Sequence, residues 1–116
     1  MSERKRLVER YFEGFRQGDH ELILGCLTDD VVWDLPGFRY LEGKEAFDGE
    51  IENEAFEGRP TLDIERLVEE DDAVVAIGRG QARRKGGDQF RFAYADVFTF
   101  RDGAISRVES YLVPLG

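Results

Sequence analysis

The stretch that decides the fold is Phe90-Arg91-Phe92-Ala93-Tyr94-Ala95-Asp96-Val97-Phe98-Thr99-Phe100-Arg101, followed by Asp102-Gly103. Phe90, Phe92, Tyr94, Asp96, Phe98 and Phe100 share one face of an extended chain, and Arg91, Ala93, Ala95, Val97, Thr99 and Arg101 share the other. Alternation sustained over that length predicts a strand. Asp102-Gly103 predicts a tight hairpin, because the favoured two-residue turn needs positive φ at both positions. Ala104 to Val113 then returns as the last strand.

Upstream, the same period of two continues. Gly86-Gly87 marks a turn, Ala73 to Gln81 reads as another strand, and Asp71-Asp72 turns the chain before it. Leu62 and Ile64 alternate with polar neighbours, and Gly58 and Pro60 separate this β region from a helical one. Before that break Phe47, Ile51 and Ala55 stand four apart after Gly43. They form one face of a helix whose other faces carry Glu45, Asp48, Glu50, Glu52 and Glu54.

At the start, Leu7, Val8, Tyr11, Phe12 and Phe15 recur at helical spacing from Glu3 to Gln17, and Gly18 ends that helix. Asp19 caps a short second helix with Leu22, Ile23, Cys26 and Leu27 turned inward, closed by Asp29-Asp30. Val31-Val32-Trp33 is a short strand running into Pro36-Gly37. The predicted class is α+β: three helices packed on one face of a curved, mostly antiparallel sheet.

The 116 residues fit one domain, 1–116, and the mix of 41% hydrophobic and 35% charged residues is that of a globular chain. The net charge of -9 opposes polyphosphate backbones and anionic membrane surfaces, so neither nucleic acid nor membrane is an expected partner. Arg83-Arg84-Lys85 beside Gly86-Gly87 reads as a solvated hairpin tip. Cys26, without a second cysteine, reads as a small core residue. The charged start leads into no apolar signal core, and the expected residence is cytoplasmic. His20 has no His or Cys partner at ligand spacing, and no phosphate-cradling loop is present, so no metal and no cofactor are expected. Nine Phe residues supply either an aromatic core or the lining of a small-molecule pocket, and composition does not choose between them.

Asp96 breaks the aromatic face, and a lone buried charge there is costly. Its carboxyl either finds a partner such as Arg79 or is pushed toward the neutral form by desolvation, which would make it a functional candidate. Asp34 follows Trp33 where a turn aspartate would be ordinary, and Tyr11 lies on a buried helical stripe where tyrosines usually serve the core.

Three separated stretches resemble the steroid Δ-isomerases of the nuclear transport factor 2-like and SnoaL-like superfamily. They are Arg10-Tyr11 with Gly18-Asp19, Asp29-Asp30 through Val32-Trp33-Asp34 to Gly37, and Asp96-Val97-Phe98-Thr99-Phe100 before Asp102-Gly103-Ala104-Ile105. The resemblance implies a cone-shaped fold and a homodimer. It also implies a pocket for a small hydrophobic molecule, with Asp34 as proton shuttle and Tyr11 and a protonated Asp96 donating to an enolate oxygen. The expected walls are Phe15, Trp33, Phe47, Ile51, Arg79, Phe92, Tyr94, Phe98, Val108 and Leu112. The chain departs from the family at Ile51, where the family has a supporting tyrosine, and at its end, which lacks the aspartate common in SnoaL-like relatives.

Ketosteroid isomerase-like proton transfer next to a carbonyl is thus one reading. Non-catalytic binding of a hydrophobic ligand is another. With Arg79 turned inward, the site would instead resemble the Asp-Arg-Asp arrangement of limonene epoxide hydrolases. The small, mildly apolar face of Ala93, Ala95, Val97 and Thr99 is the expected dimer contact.

Overall fold

The computed structural model describes residues 2–52 and 55–115. In chain order the elements are α1 (Glu3–Gln17), α2 (His20–Leu24), β1 (Leu27–Leu35), β2 (Arg39–Glu42), α3 (Lys44–Ile51), β3 (Phe56–Glu70), β4 (Ala73–Arg84), β5 (Gln89–Arg101) and β6 (Ala104–Leu115). The six strands form one curved, open sheet in the order β2-β1-β6-β5-β4-β3. β1 runs parallel to β6, and every other neighbouring pair is antiparallel. Among the described residues no helix is long and apolar enough to cross a membrane.

Local signals set the helix ends. The Ser2 hydroxyl accepts from the Lys5 amide at 3.1 Å, and Gly18, left-handed at φ 66°, closes α1 by donating to Gly14 and Phe15. Asp19 caps α2 by accepting from the Leu22 amide at 3.1 Å. The β5–β6 hairpin turns on Asp102 and Gly103 at φ 52° and 81°, as the Asp-Gly pair requires.

Three boundaries differ from expectation. α2 ends at Leu24 rather than at Asp29-Asp30, because the Cys26 carbonyl accepts from the Ile105 amide at 2.9 Å and draws residues 27–30 into β1 beside β6. α3 ends at Ile51, so Ala55 lies beyond it, while Glu54 falls outside the described residues. β3 runs straight through Gly58 and Pro60. Pro60 is tolerated there because β3 is an edge strand and the register shifts between Glu57 and Thr61. The short β2, paired along β1, was not anticipated.

Two glycines give the sheet its bend. Gly78 and Gly80 on β4 stand opposite Tyr94 and Phe92 on β5. A Cβ on Gly78 would lie 1.9 Å from the Asp63 carbonyl oxygen and 2.6 Å from the Tyr94 hydroxyl, and one on Gly80 would lie 2.7 Å from the Phe92 ring. Bare backbone at both positions lets the two rings lie across β4, and the Tyr94 hydroxyl reaches β3 to donate to Asp63 O at 3.0 Å. A register shift between Ile64 and Arg66 on β3 adds to the coil of the sheet here.

Helix α1 fills the concave side. Tyr11 meets Phe98 edge-on at 5.1 Å between ring centroids, Phe12 meets Tyr94 at 5.5 Å, and Phe47 of α3 stacks on Trp33 of β1 at 4.3 Å. Phe47, Phe98 and Val108 are completely buried, so the deep end of the cone is closed by the protein's own side chains.

Candidate functional site

The alternation on β5 carries Asp96 inside, where it is 9% exposed. Along its strand it lies between Tyr94 and Phe98, and across the sheet it stands opposite Ala76 of β4 and Ser110 of β6. Burial pushes its carboxyl up to about 7, against the opposing effect of a hydrogen bond from the Ser110 hydroxyl. The Ser110 oxygen in turn accepts from Trp33 Nε1 at 3.0 Å. Tyr11 is also buried, and its phenol is held well above its ordinary pKa, first by desolvation and then by the nearby Asp96. Tyr11 therefore remains a hydrogen-bond donor at every ordinary pH.

Above this floor opens a cavity of about 560 Å³. Phe15, Ile51, Phe56, Phe90, Phe92 and Leu112 supply its apolar walls, and Glu52, Glu57 and Arg59 stand among its polar residues. Leu112 is two residues along β6 from Ser110, so the carboxyl lies about 7 Å deeper than the Leu112 row at the usual rise of a strand. Phe15 joins the two levels. It lines the cavity and also packs on Tyr11 at 5.0 Å and on Trp33 at 6.0 Å.

Several expected site residues lie elsewhere. Asp34 does not converge with Tyr11 and Asp96: its neighbour Trp33 takes the inward position on β1, so strand parity turns Asp34 to the outer face. There its Oδ2 accepts from Arg107 Nη2 at 3.0 Å. Arg79 is likewise outside, with a side chain 65% exposed and 3.6 Å from Glu65. The inward positions of β4 are Val74, Ala76, Gly78 and Gly80, so parity puts Val75, Ile77 and Arg79 on the other side. The Asp-Arg-Asp arrangement is therefore not assembled. Trp33, Phe47, Tyr94, Phe98 and Val108 are packed in the core, whereas Phe15, Ile51, Phe92 and Leu112 line the cavity.

Sequence reasoning missed Ser110, Phe56 and Phe90. Phe90 was legible on the aromatic face, and Ser110 follows from Val108 and Leu112 by parity. Phe56 was hidden because Gly58 and Pro60 read as a break. His20 bridges α2 to α3. Its Nδ1 and Nε2 each lie 2.5 Å from a carboxylate, Asp48 and Glu52 respectively, and the two hydrogen bonds raise its pKa.

An inward-facing acid under a helix-covered, strongly bent sheet is the setting in which the sequence comparison falls. Residues 8–108 match the model of the SnoaL-like domain family. The chain belongs to that family. As a SnoaL-like protein it shares the nuclear transport factor 2-like fold of many solved structures. One is a nuclear transport factor 2-like protein of unknown function from Burkholderia pseudomallei, 19% identical with a TM-score of 0.90 over 97% of this chain and 92% of that one. TerC co-crystallised with polyporic acid is 23% identical, with a TM-score of 0.87 over 97% and 92%. A candidate polyketide cyclase from Xanthomonas campestris pv. campestris is 29% identical, with a TM-score of 0.82 over 95% and 92%. No curated protein matches this SnoaL-like chain in sequence.

Proposed function

We propose that this SnoaL-like protein holds a small, largely apolar carbonyl compound in its aromatic cavity and moves a proton on it through Asp96. The observation that carries this reading is the placement of a carboxyl, opposed by no cation among the described residues, just below an apolar cavity. In its ionised form the carboxylate accepts a proton from the carbon next to the carbonyl. The C–H electron pair moves to form the carbon–carbon double bond of an enolate, and Tyr11 donates a hydrogen bond to the oxygen. Return of the proton at another carbon isomerises the compound. Attack of the enolate carbon on a second carbonyl of the same molecule closes a ring: the carbonyl π pair moves to its oxygen, and the alkoxide takes back the proton held by Asp96. A carboxyl that titrates near neutrality performs both transfers at little cost in either direction, which supports a single shuttle in place of the Asp34–Asp96 pair. The likeness to a candidate polyketide cyclase and to a protein co-crystallised with polyporic acid supports a ligand of that general kind.

The test is hydrogen–deuterium exchange in D₂O, followed by NMR on a panel of β-diketones, hydroxyquinones and cyclic enones. The wild type is expected to accelerate exchange next to the carbonyl by about 100-fold or more over Asp96→Asn, with a rate that rises with pH through about 7 and then levels. Asp34→Asn is expected to keep the wild-type rate. Undiminished exchange in Asp96→Asn, or its loss in Asp34→Asn, refutes the proposal. A second reading, ligand binding without chemistry, is favoured by the cavity lining, which stops one residue row above Asp96. Compounds that bind but do not exchange would establish it.

A further inference from the structure

We infer that Ser110 is the positioning residue of this site: its oxygen is anchored by the Trp33 indole, and its hydroxyl hydrogen is thereby directed onto the Asp96 carboxyl. The inference deepens the proton-transfer reading and rests on it.

A serine hydroxyl carries one donor and two acceptor sites and ordinarily rotates to suit its surroundings. Here its freedom is removed from one side. Trp33 Nε1 has a single hydrogen and donates it to Ser110 Oγ at 3.0 Å in a buried setting. The indole cannot turn away, because one of its faces stacks on Phe47 at 4.3 Å and 23° and Phe15 packs against it edge-on at 6.0 Å. With the oxygen held as an acceptor, the serine hydrogen must find its own partner. Asp96 is the residue directly across the β5–β6 ladder, at the spacing where facing side chains meet. Ala76 on the opposite flank offers no competing polar group.

The arrangement has two chemical consequences. One carboxyl oxygen is held by Ser110, which fixes the plane of the acid and leaves the second oxygen to exchange a proton. The donated hydrogen bond also favours the carboxylate against desolvation, so a working fraction of the base persists at neutral pH. Without Ser110 the same burial would leave a smaller share of the acid ionised at neutral pH.

The experiment is a ¹³C NMR titration of the Asp96 carboxyl in the wild type, Ser110→Ala, Ser110→Thr and Trp33→Phe. It needs no substrate. Ser110→Ala is expected to move the midpoint upward by about one pH unit, a tenfold gain in proton affinity. Ser110→Thr restores the hydroxyl and returns the midpoint to near the wild-type value. Trp33→Phe frees the serine rotor and moves it upward by less. A purely structural serine would leave the midpoint where it was, and that result in folded Ser110→Ala overturns the inference. Should Ser110→Ala fail to fold, an unmoved midpoint in Trp33→Phe overturns it equally, and an upward one supports it. Deuterium exchange on the same variants separates the two ideas. A moved midpoint with no exchange in any variant defeats the proton-transfer reading alone, and intact exchange with an unmoved midpoint defeats the positioning role alone.

Discussion

Replacing Asp96 by asparagine is expected to flatten the dependence of folding stability on pH between pH 5 and pH 8. In the native state desolvation raises this carboxyl from the ordinary 3.8 to about 7, so the folded protein binds the proton more tightly than the unfolded chain does. An acid perturbed in this direction withdraws stability as pH rises above the unfolded value, and the loss levels off once pH passes the folded value. Working the two values through the linkage relation gives a penalty of about 4 kcal/mol at pH 8 and about 2 kcal/mol at pH 5, hence a difference of roughly 2–3 kcal/mol. Asparagine keeps an oxygen to accept from Ser110 but brings an amide donor with no assigned partner. That costs about 1–3 kcal/mol at every pH and drops out of the slope. The assay is urea unfolding followed by the fluorescence of Trp33, the one tryptophan of the chain. The wild type should lose roughly 2–3 kcal/mol more than Asp96→Asn between the two pH values. Parallel profiles would refute the assignment of Asp96 as a desolvated, unpaired acid, and an opposite slope would mean that a cation faces it.

Gly78→Ala is expected to lower stability by about 3 kcal/mol, because the new methyl group would displace either the Asp63 carbonyl at 1.9 Å or the Tyr94 hydroxyl at 2.6 Å. A thermal melt within a degree or two of the wild type would show that β3 relaxes freely, contrary to this account of the bend. We also propose that the outer sheet face, with Tyr111 44% and Val113 59% exposed beside half-buried Ala95 and Val97, pairs with a second copy of the chain. Sedimentation at micromolar concentration should give twice the chain mass for the wild type and a shift toward monomer for Val113→Glu. A wild-type monomer there contradicts the proposal.

Much of the site was legible in short-range pattern. The period of two in β5 was enough to put Asp96 on the aromatic side, since a strand can change the face of one residue only by changing the faces of all the others. Parity also bore on Asp34. It adjoins Trp33, and two consecutive residues of a regular strand cannot both point into one cavity. β4 gave no such guidance, because Val74, Val75, Ala76 and Ile77 are apolar on both faces and the bulkier pair lies outside. Gly78, Gly80 and Ala76 face inward because the rings of β5 need the space, a demand that β4's own sequence does not carry.

The sequence by itself determined the cores of the three helices and of every strand but β2, where the main turns fall, and that an acid interrupts an aromatic face, because each depends on neighbours a few residues apart. Tertiary structure alone decided that Ser110 meets both Trp33 and Asp96, that Arg79 and Asp34 leave the site, and that residues 27–30 and Gly58–Pro60 extend as strand. These outcomes depend on the register between segments up to 77 residues apart in the chain, as Trp33 and Ser110 are, and on which side chains fill the shared interior volume.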